Sequence, residues 1–213
     1  MSGPPGVSGQ FWRLVVAEPV GELAALDVGT GTGRIALALA GLCPRVVGVD
    51  RDAGAVEEAR RRAAAAGLGN VEFVVVDAEA VEYDAWTPGL VVAHLCVSDA
   101  IIARAGRALL PGHVLAFVAF HADQWRETGR RSRFAYDEAQ ARRALDKGGF
   151  RVDHLDVERE VQRFDTVEQG LAAAVGLQER WQADGRWFRY IRFLEEGGRT
   201  LTRAHLVVKA RRR

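Results

Sequence analysis

Charge of one sign is the first thing the sequence lacks. Lysine and arginine number 29 against 28 aspartate and glutamate, a formal net charge of +1 over 213 residues. The long-range field of a dedicated nucleic-acid binder is therefore missing. Cysteine is scarce: Cys43 and Cys96 are the whole complement, and their spacing builds neither a zinc site nor a disulfide framework. A reducing, cytoplasmic setting without a bound metal is the expectation. Long apolar runs are also absent. No segment approaches the ~18 continuous apolar residues of a membrane span, and Met1-Ser2-Gly3-Pro4-Pro5-Gly6 offers neither the basic start nor the apolar stretch of a signal peptide. Lysine is nearly missing, with only Lys147 and Lys209 among the arginines. What is present, 48% hydrophobic and 27% charged residues, suits one α/β domain over residues 1–213 with a sizeable core.

Short β-branched runs alternate with Ala/Arg/Glu-rich stretches of helical period, the pattern of a parallel sheet between helical layers. Strands are predicted at Leu23–Val28, Arg45–Asp50, Val71–Val76, Leu90–Cys96 and His113–Phe120, each mostly apolar on both faces. Helices are predicted over Arg34–Gly41, Ala53–Ala66, Asp99–Leu110 and Tyr136–Lys147, with glycine or proline at their stops. Two further strands, Phe150–Glu158 and Thr200–Lys209, alternate in polarity and read as an edge pair. Residues 164–198 lie between them, too long for a hairpin and too apolar for a linker. There Thr166 and Gln169 make a capping-box pattern, after which Leu171, Val175, Leu177 and Trp181 can share one helical face. A second helix is expected over Arg186–Glu196, carrying Trp187, Ile191 and Leu194. The aromatics of this insertion, and of an N-terminal cap segment over residues 1–20, either close over a pocket as a lid or anchor helices to the sheet.

The most informative stretch is Leu26-Asp27-Val28-Gly29-Thr30-Gly31-Thr32-Gly33-Arg34. Three alternate glycines follow a buried strand and precede a helix, where they permit φ > 0 and let a ligand touch the backbone. Gly31-x-Gly33-x-x-Ala36, with Asp50 about 20 residues further on, satisfies a relaxed dinucleotide fingerprint. A tight turn without a ligand satisfies it too. Asp27 discriminates, because a carboxylate beside the loop repels a pyrophosphate and attracts an ammonium or a sulfonium. Asp50 closes the second strand, where it either accepts both hydroxyls of a ribose or caps the next helix, a job Asp52 also stands ready to do. Asp77-Ala78 follows the third strand, with an acceptor for an adenine amino group beside a residue small enough to admit the ring. Three acids thus end three successive strands, at the edge where doubly wound sheets bind ligands.

On these residues the chain resembles the class I S-adenosylmethionine-dependent methyltransferases. The carrying residues are Asp27 to Gly33, Asp50 after Val46-Val47-Gly48-Val49, Asp77-Ala78-Glu79, and Leu109-Leu110-Pro111-Gly112. The resemblance implies a three-layer, doubly wound, Rossmann-like α/β sheet of seven strands in the order 3-2-1-4-5-7-6. Its seventh strand is antiparallel, and a helical insertion separates the last two strands. It also implies S-adenosyl-L-methionine as cofactor and S-adenosyl-L-homocysteine as product. Asp27, Gly29, Gly31 and Gly33 would contact the methionine portion, Asp50 the ribose, and Asp77 with Ala78 the adenine. Thr30, Arg51, His94 and Leu95 complete the candidate cofactor set.

The resemblance also implies that the methyl-bearing sulfur lies over the end of the fourth strand, so Ala93 to Ser98 should line the acceptor region. The Asn/Asp-Pro-Pro-aromatic motif of many amino-group methyltransferases is missing there, which disfavours that pattern of nucleobase or amide methylation. Direct displacement from a sulfonium needs alignment and exclusion of water more than a base. If a base is used, His121 is the first candidate and His94 the second, each with the alternative of a hydrogen-bonded structural histidine. Cys96 reads as packing, since nothing near it in sequence lowers its pKa. Arg126, Arg130, Arg131 and Arg133 are a solvated face, a phosphate-backbone contact, or a grip on an anionic small molecule. The reading is methyl transfer to a small-molecule acceptor. An RNA methyltransferase, a non-catalytic cofactor-binding module and an NAD-dependent oxidoreductase are the rivals.

Overall fold

Runs that are apolar on both faces need a helical layer on each side, and this requirement organises the sheet. The computed structural model describes residues 3–213, so Met1 and Ser2 of the N-terminal cap segment lie outside the described residues. The strands are β1 (Ala25–Val28), β2 (Val46–Asp50), β3 (Val71–Val75), β4 (Leu90–His94), β5 (Val114–His121), β6 (Ala135–Tyr136), β7 (Phe150–Arg163) and β8 (Thr200–Arg212). Their order is β3-β2-β1-β4-β5-β8-β7, with β6 beside β5. Setting the two-residue β6 aside, this is the expected 3-2-1-4-5-7-6. Strands β1 to β5 run parallel, and the register sets Asp27 between Gly48 of β2 and Val92 of β4. The last strand runs against its neighbours. Arg212 donates its N–H to the His113 carbonyl at 2.8 Å, and Arg213 donates to the Gly149 carbonyl at 3.0 Å, so the end of β8 meets the starts of β5 and β7.

Two compact units are present. One comprises the chain up to Ala119 with Glu138–Asp156 and Val207–Arg213; the other comprises Phe120–Asp137 and Val157–Leu206. In the first, helices α2 (Arg34–Ala40), α3 (Ala53–Ala65), α4 (Asp99–Ala108) and α5 (Glu138–Lys147) follow β1, β2, β4 and β6. Asp52 caps α3 by accepting the Ala55 N–H at 3.0 Å. An additional helix, α1 (Gly9–Val16), occupies the N-terminal segment, started by Ser8 accepting the Phe11 N–H at 3.1 Å. It buries Phe11, Trp12 and Val15 in the core formed by Ile35, Leu39, Val92 and Val118. After it, the buried carboxylate of Glu18 takes Lys209 Nζ at 2.7 Å and Arg211 Nη2 at 2.9 Å. Glu18 therefore ties the end of α1 to β8.

In the second unit β6 pairs in parallel with the end of β5, His121 opposite Tyr136. Helices α6 (Val167–Ala174), α7 (Gln178–Asp184) and α8 (Arg186–Glu195) fill the insertion. Thr166 accepts the Gln169 N–H at 3.3 Å, as the capping pattern requires, while the Gln169 side chain accepts from Asp165. The single long face expected from Leu171 to Trp181 does not form. A 3₁₀ turn at Val175–Leu177 breaks the helix around Gly176, leaving Val175 exposed while Trp181 is buried. Edge-on rings hold the unit together, with Trp125–Trp181 centroids 5.2 Å apart and Trp181–Tyr190 5.6 Å.

Candidate functional site

Glycines at Gly29, Gly31 and Gly33 all hold positive φ, at 67°, 54° and 81°. They do so for different reasons. A Cβ on Gly29 would collide with the Cys96 sulfur, and one on Gly33 would stand 3.0 Å from Ala59 Cβ and the Phe73 ring. Both glycines therefore permit close packing behind the loop. Gly31 differs: a Cβ there would meet nothing within 4 Å. It lines a small open cleft of about 90 Å³ together with Asp27, Gly29, Thr30, Thr32, Arg34, Ile35 and His94.

Asp27 sits within this cleft's wall yet is only 1% exposed. Its Oδ2 accepts the Thr30 hydroxyl at 2.7 Å and the Ala36 N–H at 3.1 Å. Gly48 makes room for that arrangement, since a Cβ there would fall 2.7 Å from both Thr30 Oγ1 and Phe73. Burial pushes the Asp27 carboxyl up to about 7; the Thr30 and Ala36 bonds and the Arg34 charge oppose the rise, and the Asp50 charge adds to it. A buried carboxylate poised in this way gains most from a cationic ligand.

Asp50, at the end of β2, is tied to the same loop. Its Oδ2 accepts the Gly31 N–H at 2.8 Å and its Oδ1 the Asp52 N–H at 3.0 Å. Asp52 is the cap of α3, and each Asp50 oxygen has a lone pair beyond the bond it accepts. Arg51 beside it is exposed. Asp77 is exposed after β3, its Oδ1 accepting the Glu79 N–H at 2.8 Å, and the Ala78 carbonyl accepts the buried Tyr83 hydroxyl at 2.9 Å. Gly33, Asp50, Arg51, Asp77, Ala78 and Leu95 are not part of the cleft lining, whereas Asp27, Gly29, Thr30, Gly31 and His94 share it.

The end of β4 is bent. Leu95 takes φ 62° while its N–H still reaches the Val118 carbonyl at 2.7 Å. A left-handed non-glycine residue costs about 1–3 kcal/mol and occurs preferentially where a site needs it. The bend leaves His94 on the cleft wall, its ring edge-on to Phe11 of α1 at 6.1 Å. Cys96 packs against Gly29 and donates its Sγ–H to the Val28 carbonyl at 3.1 Å. Burial pushes that thiol up to about 12, which suits packing and not nucleophilic attack. His121, at the end of β5 in the second unit, is buried and accepts the Asp123 N–H at Nδ1, 3.1 Å away. The Asp123 carboxylate lies 3.6 Å from the same nitrogen. Thr32, Arg34 and Ile35 are lining residues that motif reasoning passed over. Their signal was their position directly in and after the glycine run.

Residues 25–112 match a family model described as a methyltransferase domain. An uncharacterized methyltransferase of Mycobacterium tuberculosis is 33% identical over 104 residues, 48% of this chain and 53% of that protein. A 23S rRNA (uracil(1939)-C(5))-methyltransferase of Xylella fastidiosa is 47% identical over 60 residues, 28% of this chain and 14% of that protein. The chain thus spans about half of the first of these relatives and a small part of the second. Among solved structures, the magnesium protoporphyrin IX methyltransferase of Synechocystis, with bound S-adenosylhomocysteine, has a TM-score of 0.62 at 17% identity, covering 96% of this chain and 80% of that one. At that identity the likeness is one of fold.

Proposed function

We propose that this chain, whose residues 25–112 match a methyltransferase domain and whose strand order is the one expected of the class I S-adenosylmethionine-dependent methyltransferases, transfers a methyl group from S-adenosylmethionine to a small-molecule acceptor. One observation carries the reading: a buried carboxylate and an open glycine share one cleft. Asp27 is held ready for a cation, and the unfilled side of Gly31 admits ligand atoms against the backbone. In this reading Asp27 takes the ammonium of the cofactor's amino-acid tail, Asp50 the ribose hydroxyls, and Asp77 with Ala78 the adenine.

Bound S-adenosylmethionine supplies a methyl group on a sulfonium, open to direct displacement. The chain's own part is to orient and to keep water out. Buried Asp27 supplies the fixed negative charge, the bonds from Thr30 and Ala36 fix its rotamer, and His94 with Phe11 behind it walls the mouth. His94 is the lining residue able to take a proton from an acceptor hydroxyl or thiol.

A nucleic-acid acceptor draws less support. Of the basic run, Arg130 bonds the Asp184 carbonyl, Arg131 lies 3.8 Å from the Asp137 carboxylate, and Arg133 covers the Phe134 ring at 4.1 Å. These three cations are exposed, and each has a partner within its own unit. Two measurements test the proposal. Calorimetric titration should give binding of S-adenosylhomocysteine and none of NADH, and tritium from labelled cofactor should pass from the enzyme into the low-molecular-weight fraction of an extract. Label found in RNA instead, or no binding of S-adenosylhomocysteine by folded protein, overturns it.

A further inference from the structure

We infer that Phe11 is a positioning residue for His94: it fixes the direction of the imidazole and so keeps it aimed at an acceptor's proton. The inference rests on the small-molecule reading above. Phe11 is fully buried and takes no part in the cleft lining, whereas His94 is half-buried and does. Their rings meet edge-on, with centroids 6.1 Å apart and planes at 60°. Whatever Phe11 does for the cleft it therefore does through a lining neighbour.

Both sides of this contact are anchored. On the α1 side, Ser8 accepts the Phe11 N–H at 3.1 Å, the Gln10 amide donates to the Asp156 carboxylate of β7 at 3.1 Å, and Glu18 holds the far end through Lys209 and Arg211. The Phe11 ring itself packs in the cluster of Ile35, Leu39, Val92 and Val118. On the sheet side, His94 stands opposite Val118 of β5, and Leu95 after it holds φ 62° with its N–H 2.7 Å from the Val118 carbonyl. That fixes the point from which the His94 side chain starts and leaves two torsions to settle its ring. A close-packed neighbour narrows those torsions without taking a proton or giving one.

Aim matters for a base because a proton moves only over hydrogen-bond distance. As an acceptor hydroxyl or thiol bonds the methyl carbon through a lone pair, the carbon–sulfur pair withdraws onto sulfur, and the acceptor's proton passes to the imidazole nitrogen facing it. An imidazole turned into another rotamer does not collect that proton. Phe11 has no titratable group, so replacing it leaves the base chemically intact and alters only its direction.

The test is a double-substitution cycle. Methyl transfer from tritiated cofactor into the low-molecular-weight fraction of a cell extract is measured at saturating cofactor for wild type, Phe11→Leu, His94→Ala and the pair, with circular dichroism to verify folding. Phe11→Leu should slow transfer about tenfold in the wild-type background and less than about threefold beside His94→Ala, where no imidazole is left to aim. Affinity for S-adenosylhomocysteine, by calorimetry, should stay within about threefold throughout. Magnetic resonance of nitrogen-labelled histidine reads the same contact without turnover: the imidazole signals lost in His94→Ala should move in Phe11→Leu, while those of His113 and His154 stay. Should Phe11→Leu fail to fold, Phe11→Met takes its place in the cycle. Equal slowing in both backgrounds makes Phe11 a packing residue and overturns the inference, as does an unchanged rate or an unmoved His94 signal. A wild-type chain that binds no S-adenosylhomocysteine, or labels nothing in that fraction, overturns the small-molecule reading itself.

Discussion

Replacing Asp27 by asparagine should stabilise the ligand-free protein and abolish its affinity for the cofactor. Asp27 is 1% exposed, and its Oδ2 accepts two hydrogen bonds that an asparagine oxygen can accept in its place. The folded-state pKa of about 7 lies above the ordinary 3.8. Below pH 3.8 the acid is neutral in both states and burial costs nothing extra; as pH rises toward 7 the unfolded chain gains by ionising and the folded one does not. Stability is therefore lost as pH rises, up to about 4 kcal/mol once pH exceeds 7. Asp27→Asn escapes this loss. Urea unfolding of the two proteins should show an advantage for the variant of about 1.5 kcal/mol at pH 5, growing to about 4 kcal/mol above pH 7. The same variant should show no measurable binding of S-adenosylhomocysteine. A stability difference that does not grow with pH, or a variant less stable than wild type at pH 8, refutes the claim that burial governs this carboxyl.

Gly31→Ala and Gly29→Ala should separate binding from folding. The first, with nothing within 4 Å of its new Cβ, should cost about 1–2 kcal/mol of stability for its left-handed backbone yet remove cofactor binding, whereas the second should unfold more readily through its clash with Cys96, a loss that Cys96→Ala partly restores in denaturant titration. Cofactor affinity should fall about tenfold per pH unit below pH 7 as Asp27 protonates, and calorimetry in two buffers of different ionisation enthalpy should detect proton release on binding near pH 6. In steady-state assays His94→Ala should lower kcat/KM by at least about tenfold, while His121→Ala stays within about threefold. A loss of about 100-fold or more at His121 would restore it as the general base.

The parallel half of the sheet was readable because its information is local. Each strand from β1 to β5 is a short apolar run bounded by glycine, proline or a capping residue, and its predicted limits fall within two residues of those observed. The loop was readable for the same reason: Asp27, Gly29, Gly31 and Gly33 are adjacent in sequence. What escaped depends on partners far along the chain. Strand β7 continues to Arg163 through charged, exposed residues that alternation alone does not mark as extended. Helix α1 begins at a glycine and is stabilised by burying Phe11 and Trp12 in a core assembled from β4, β5 and α2. Gly176 breaks a helix whose apolar spacing looked continuous, and β6 is two residues whose pairing with β5 exists only in three dimensions. The division of labour among the glycines was equally hidden, because it turns on Cys96, in the loop after β4, and on Phe73 of β3.

That division has a thermodynamic corollary. Gly29 and Gly33 are moulded against protein atoms, and Gly31 is pinned by Asp50, so the loop already holds its shape when empty. An incoming nucleoside would freeze few backbone torsions there, and little conformational entropy would be surrendered on docking. Rapid, single-exponential association without a slow rearrangement of the loop is the kinetic signature of such a rigid cradle.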